Sequence, residues 1–228
     1  MRRALILAAA ASAAFFLGPE ARADNPASML KGPSAEASSS PDLDRPNERR
    51  GGLVIGAFYG GGLASSAGYP NDSNLIGNPE YYAASGLLAG AGGSGFIMGA
   101  LTDYLSFGFW FGAAVFNSDA WHSTGQGGGL RLELFPLYGL GGLFRDLGVY
   151  TQVGIGATKL VYRDKAGVSS NGVGSALGAG VFYEFWLFKG LGGHFAIGPS
   201  LEYDAVNSEP MERHGALLGG RGVWYGGK

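Results

Sequence analysis

An all-β chain, folded as an antiparallel up-and-down transmembrane β-barrel of about eight strands, is the architecture expected of these 228 residues. Three observations lead there. A secretory address opens the chain, uncharged stretches with a period of two fill residues 51–228, and glycine is scattered through all of them. The expected organisation is a signal peptide at 1–23, a disordered Pro/Ser-rich periplasmic linker at 24–50 and an outer-membrane barrel at 51–228.

Met1-Arg2-Arg3 forms a positive start, and residues 4–17 (ALILAAAASAAFFL) are an unbroken apolar run. That run is shorter than the ~20 residues a spanning helix needs. Gly18-Pro19 ends it, and Ala21-Arg22-Ala23 offers the small-x-small pattern of a cleavage site. Residues 24–50 then carry four Pro, five Ser and nine charges in 27 residues. A segment with so little apolar surface cannot offset its ordering entropy, so it reads as an extended tether.

From Gly51 onward only 21 of 178 residues are Asp, Glu, Lys or Arg. Strands are expected at 52–63, 91–102, 105–116, 127–137, 147–162, 173–188, 194–205 and 215–225. In 173–188, Val173, Ser175, Leu177, Ala179, Val181, Tyr183, Phe185 and Leu187 share one parity. Gly174, Ala176, Gly178, Gly180, Phe182, Glu184, Trp186 and Phe188 share the other. Alternate residues of a strand point to opposite faces, so one face is apolar and the other is built mostly of small residues around a carboxylate. The split recurs. Phe107, Phe109, Phe111 and Val115 oppose Ser106, Gly108, Trp110 and Gly112. Leu130, Leu132 and Leu134 oppose Arg131 and Glu133, while Val149, Val153 and Ile155 oppose Tyr150, Gln152 and Gly154. Ile197, Leu201, Tyr203 and Ala205 oppose Gly198, Ser200, Glu202 and Asp204.

Soluble sandwiches alternate too. Here, however, the apolar face runs free of charge over ~9–11 residues, the length of a tilted membrane strand. Its opposite face is too small and polar to be a sandwich core. Aromatics such as Phe107, Tyr162, Tyr183, Phe185, Tyr203 and Trp224 gather toward strand ends, as interfacial girdles do. The apolar face is therefore expected to meet lipid. Of the strand charges Arg131, Glu133, Lys159, Glu184, Glu202, Asp204 and Arg221, all but Lys159 fall on the inward parity, and Lys159 can snorkel. Closure into a barrel follows from the environment, because lipid offers no partner to a free strand edge. Eight strands leave an interior that side chains can fill.

The connections alternate in expected length. Residues 64–90, 117–126, 163–172 and 206–214 read as external loops, while 103–104, 138–146 and 189–193 read as periplasmic turns, with both termini periplasmic. A helical alternative exists for residues 83–102, which are uncharged and contain Gly86-xxx-Gly90 and Gly95-xxx-Gly99. Six glycines in that window, each costing ~1 kcal/mol in a helix, oppose it.

The secretory start, the glycine-aromatic alternating strands and hairpins such as Met98-Gly-Ala-Leu-Thr-Asp-Tyr-Leu-Ser-Phe-Gly-Phe resemble the small, eight-stranded outer-membrane β-barrel proteins of Gram-negative bacteria. That resemblance covers residues 51–228. It implies a lipid bilayer and the barrel-assembly machinery as partners, and it spans porin-like, adhesion and lipid-modifying members. Such barrels usually end in an aromatic residue, whereas here Trp224-Tyr225 is followed by Gly226-Gly227-Lys228.

The composition limits the chemistry. With no cysteine there are no disulfides, thiolate metal sites or cysteine nucleophiles. Three histidines form no zinc pattern, and a formal net charge of −2 gives no reason to expect nucleic acid. GGLVIGAFYGGG lacks the Lys-Ser/Thr of a phosphate loop. Ser118, Asp119, His122 and Ser123 are the nearest set to an acyl-transfer site, without an identifiable oxyanion donor. His194, Ser200 and Glu202 are too far apart along one strand. Arg131, Glu133, Glu184, Glu202, Asp204 and Arg221 could pair inside the lumen or line an ion path. The reading expected is a non-enzymatic barrel making surface contacts through its loops, with no catalytic, cofactor or metal residues. The alternatives are a lipid-modifying enzyme, a narrow porin-like channel and a secreted soluble ligand-binding barrel.

Overall fold

A computed structural model describes residues 50–163 and 169–226. The expected signal peptide at 1–23 and the expected linker, apart from Arg50, lie outside these residues. Nine strands follow in order: β1 (Gly52–Gly68), β2 (Ala83–Thr102), β3 (Leu105–Asn117), β4 (Trp121–Leu134), β5 (Leu147–Tyr162), β6 (Ser169–Tyr183), β7 (Phe185–Gly190), β8 (Gly193–Asn207) and β9 (Met211–Tyr225). Neighbours pair antiparallel around the sheet, and β9 returns to β1 from Val54↔Tyr225 to Gly68↔Met211. The sheet is closed. Residues 83–102, the helical alternative, are β2, and no helix among the described residues is long and apolar enough to cross a membrane.

β6 and β7 are two halves of one stave, so the barrel has the eight staves expected. Both pair with β8, and the register runs unchanged from Phe182↔Ser200 to Phe185↔Ile197. The gap falls at Glu184, where the partner strand contributes Gly198 and Pro199. Proline has no N–H for the ladder. A Cβ at Gly198 would lie 1.7 Å from the Tyr183 carbonyl oxygen, so only glycine admits this approach. The Glu184 N–H instead continues the β5 ladder by donating to the Asp146 carbonyl at 3.0 Å.

The parities hold. Phe107, Phe109, Phe111, Leu130, Val153, Ile155, Val181 and Leu201 are exposed, while Trp110, Arg131, Glu133, Tyr150, Phe182 and Glu202 are buried. Two residues depart. Phe188 turns outward because the β7–β8 register slips between Trp186 and Phe188. Ala205 is buried between its register partners Leu177 and His214. Gly129 and Gly154 face each other across β4 and β5, and a Cβ on Gly129 would sit 2.2 Å from the Val153 carbonyl. Glycine there lets the two strands lie close.

Most strands exceed expectation, predominantly at one end. β1 runs on to Gly68, β2 starts at Ala83, β4 at Trp121, β6 at Ser169 and β9 at Met211. The connections expected at 117–126 and 206–214 therefore shrink to 118–120 and 208–210, and 64–90 shrinks to 69–82. The extra strand carries outward polar residues, among them Ser65, Gln126, Asn171 and Glu212, which erase the apolar alternation. At the opposite end the strand expected to reach Leu137 stops at Leu134, and 135–146 forms a wide turn with two short 3-10 segments.

Candidate functional site

Inward glycines make room for long charged side chains, and these meet in a chain of pairs along the lumen. Arg50 starts it near the 135–146 turn. Its Nη2 donates to Asp146 Oδ1 at 2.7 Å and to Glu184 Oε2 at 3.1 Å, and its guanidinium lies 3.6 Å from the centre of the Phe135 ring. Trp186 Nε1 donates to the same Asp146 oxygen at 2.9 Å. The other oxygen of Glu184 accepts from the Tyr225 hydroxyl at 2.7 Å and from Arg221 Nη2 at 3.3 Å. Arg221 then grips Glu133 with both terminal nitrogens, at 2.5 and 2.8 Å. Glu133 Oε1 also accepts from Arg131 Nε at 2.8 Å, and Arg131 Nη1 donates to Gln152 Oε1 at 3.2 Å.

Aromatic rings complete the packing. Arg131 lies 3.5 Å over Tyr150 and Arg221 lies 3.9 Å over Phe182. Both guanidiniums also face Phe96, at 4.6 and 4.5 Å. Arg50, Arg131, Arg221, Glu133 and Glu184 are each at most 2% exposed. Bidentate, charge-assisted bonds of this kind are what a buried charge requires. Burial opposes the charge on Arg50, but Glu184 and the other partners outweigh it and raise its pKa above the usual arginine value. At the turn end, Tyr138 donates to Asp103 Oδ2 at 2.9 Å and accepts from Arg145 Nη2 at 2.6 Å. Burial, followed by the bond to Asp103, raises its phenol pKa above the ordinary value.

Of the six expected lumen residues, Arg131, Glu133, Glu184 and Arg221 join this chain. Glu202 lies within the barrel beyond it, and Asp204 pairs with Arg213 nearer the long-loop end. Arg50, Asp146, Tyr225 and Arg213 also pair in the lumen, and the sequence pattern does not single them out. Arg213 shares its parity with Gly215, Leu217, Gly219 and Arg221, a signal hidden by the polar residues around it. Arg50 has no such signal, because it follows Arg49 at the end of a charged, proline-rich stretch.

The set at 118–123 does not assemble into a catalytic arrangement. Ser118 Oγ accepts from the Trp121 N–H at 3.1 Å, and Asp119 is exposed. His122 Nδ1 contacts Asn117 Oδ1 at 2.6 Å. Ser123 points inward to share a 2.8 Å bond with Ser66. His122 and Ser123 are consecutive strand residues and take opposite faces. His194 stands edge-on to Trp186, away from Ser200 and Glu202. Among the described residues no group of His, Cys, Asp and Glu is placed to hold a metal ion.

No family model matches the chain, and no curated protein matches it. Solved structures do. Neisserial surface protein A is 11% identical, with a TM-score of 0.45 over 75% of this chain and 96% of that one. Ail, the attachment invasion locus protein of Yersinia pestis, crystallised with the heparin analogue sucrose octasulfate, is 12% identical, with a TM-score of 0.41 over 74% and 98%. The outer membrane protein OprG of Pseudomonas aeruginosa is 12% identical, with a TM-score of 0.39 over 78% and 98%. These neighbours are small outer-membrane barrels of eight strands. The likeness is one of fold.

Proposed function

We propose that the chain is a non-enzymatic outer-membrane β-barrel that makes surface contacts through the connections at its long-loop end. The observation that supports this most is the pairing of an outward apolar belt with a lumen occupied by ion pairs. Phe109, Phe111, Ile155 and Leu218 are each more than 60% exposed. A soluble monomer seldom shows contiguous apolar area of that extent. Hydrocarbon is the environment in which such a belt is at its lowest free energy. The Arg50–Glu184–Arg221–Glu133–Arg131 chain crosses the interior, which favours a scaffold over a solute channel.

The long-loop end is assigned to the outside. There the staves project past the apolar belt, and their outward faces change to Ser65, Lys159, Asn171 and Glu212. A polar collar suits a surface held above the lipid. The connection at 69–82, with Asp72 bonded to Asn74 and Asn78 capping the short helix at Pro79–Tyr81, is the longest described one at that end. Both termini, the linker and the cleaved signal peptide then belong to the periplasmic side of export, with insertion by the barrel-assembly machinery.

The chain has no native cysteine, so labelling is clean. An Asn74→Cys variant in intact cells is expected to react with a membrane-impermeant thiol reagent. Labelling only after the outer membrane is permeabilised would reverse the assigned orientation.

A further inference from the structure

Between the Arg–Glu chain and the apolar cluster of Phe58, Leu88, Phe116 and Leu217, the lumen holds a cavity of about 50 Å³. We infer that this cavity is a binding site for a small cluster of ordered water molecules, held by Trp110, Ser94, Arg213 and Glu202 of its lining. This goes beyond the surface role proposed above and does not depend on which side the loops face.

The walls supply hydrogen-bonding groups that the protein itself does not satisfy. Among the described residues, Trp110 Nε1, Ser94 Oγ and both Nε and Nη1 of Arg213 have no hydrogen-bond partner. Trp110 and Arg213 are 8% and 3% exposed, so bulk solvent does not serve them. Arg213 commits only Nη2, to Asp204. A buried donor left without an acceptor loses its hydration with nothing in return, and several in one cavity would be a heavy cost for a small barrel. A shared guest removes it.

Charge decides which guest. An anion drawn to Arg213 would face Glu202 and Asp204, and a cation drawn to those carboxylates would face Arg213, paired with Asp204, and Arg131, whose charge reaches Glu202. An apolar guest would leave the indole, hydroxyl and guanidinium donors unmet. Water both accepts from the donors and donates to the carboxylates. At ~10–15 Å³ each, about four molecules fit the volume, and Ser94 Oγ, Trp110 Nε1, Arg213 Nε and Nη1 and Glu202 Oε1 offer them protein partners. Ala176, opposite on β6, supplies only a methyl group to the wall and leaves the space open.

The test reads the Trp110 indole proton. The full chain, labelled with ¹⁵N at its four tryptophans, is inserted in lipid nanodiscs, and Trp110→Phe assigns the resonance. A cross-relaxation peak between the Trp110 indole proton and the water resonance is expected. Ala176→Leu, whose side chain projects into the cavity, is expected to abolish that peak while leaving the heat-dependent gel shift of the folded barrel unchanged. A wild-type indole with no water peak overturns the inference, as does a peak that survives undiminished in folded Ala176→Leu. Should Ala176→Leu fail to insert, the wild-type spectrum alone decides.

Discussion

Two guanidiniums converge on Glu133, and that makes it the most consequential side chain in the lumen. Arg221 holds both of its oxygens, Arg131 shares one, and Glu133 itself is completely buried. Removing one member of a buried pair leaves the other charge uncompensated, at a cost of about 3–5 kcal/mol. Glu133→Ala is therefore expected to destabilise the barrel by that amount in denaturant titrations read by the gel shift of folded protein. A loss below ~1 kcal/mol would mean that solvent already screens Arg131 and Arg221. The sequence placed Glu133 and Arg131 on the inward face through their spacing alone. It could not show that Arg221, 88 positions away, is the partner, because that contact depends on how the sheet closes.

Among the elements, the staves were legible where one face stays apolar and were truncated where it does not. β3 and β5 are legible almost end to end, since Phe107 to Val115 and Val149 to Ile155 keep the alternation. In β4 the apolar alternation becomes legible only six residues after the strand begins, because Thr124 and Gln126 occupy outward positions and the pattern there resembles a loop. The break at Glu184 was invisible in its own segment, since its cause, Pro199, sits on the partner strand. Close approach of strands has the same non-local origin. Gly129→Val would drive a side chain into the Val153 carbonyl and force β4 from β5, for an expected loss of at least ~1–3 kcal/mol in the same titration. Gly139→Val serves as the control, since no atom lies within 4 Å of its Cβ position, and is expected to stay within ~0.5 kcal/mol of wild type.

At the scale of the molecule, the closed sheet is turned inside out, apolar on its outer face and charged within. The outside carries no charged side chain among Phe107 to Val115, Val149 to Ile155 and Val173 to Val181, and the inside pairs most of its charges within itself. The proposed scaffold, with Arg50, Glu184, Arg221 and Glu133 paired across the interior, predicts that the purified full-length barrel in planar bilayers shows no steady ion conductance. Sustained single-channel steps would contradict the scaffold and favour the narrow channel. The proposed function requires that acyl chains touch Phe109, Val153 and Leu201. The most direct measurement is nitroxide labelling at these three positions in lipid vesicles, comparing collision with oxygen against collision with a polar nickel complex. High oxygen and low nickel accessibility at all three is the predicted result; high nickel accessibility, or immobilised labels shielded from both reagents, would contradict it.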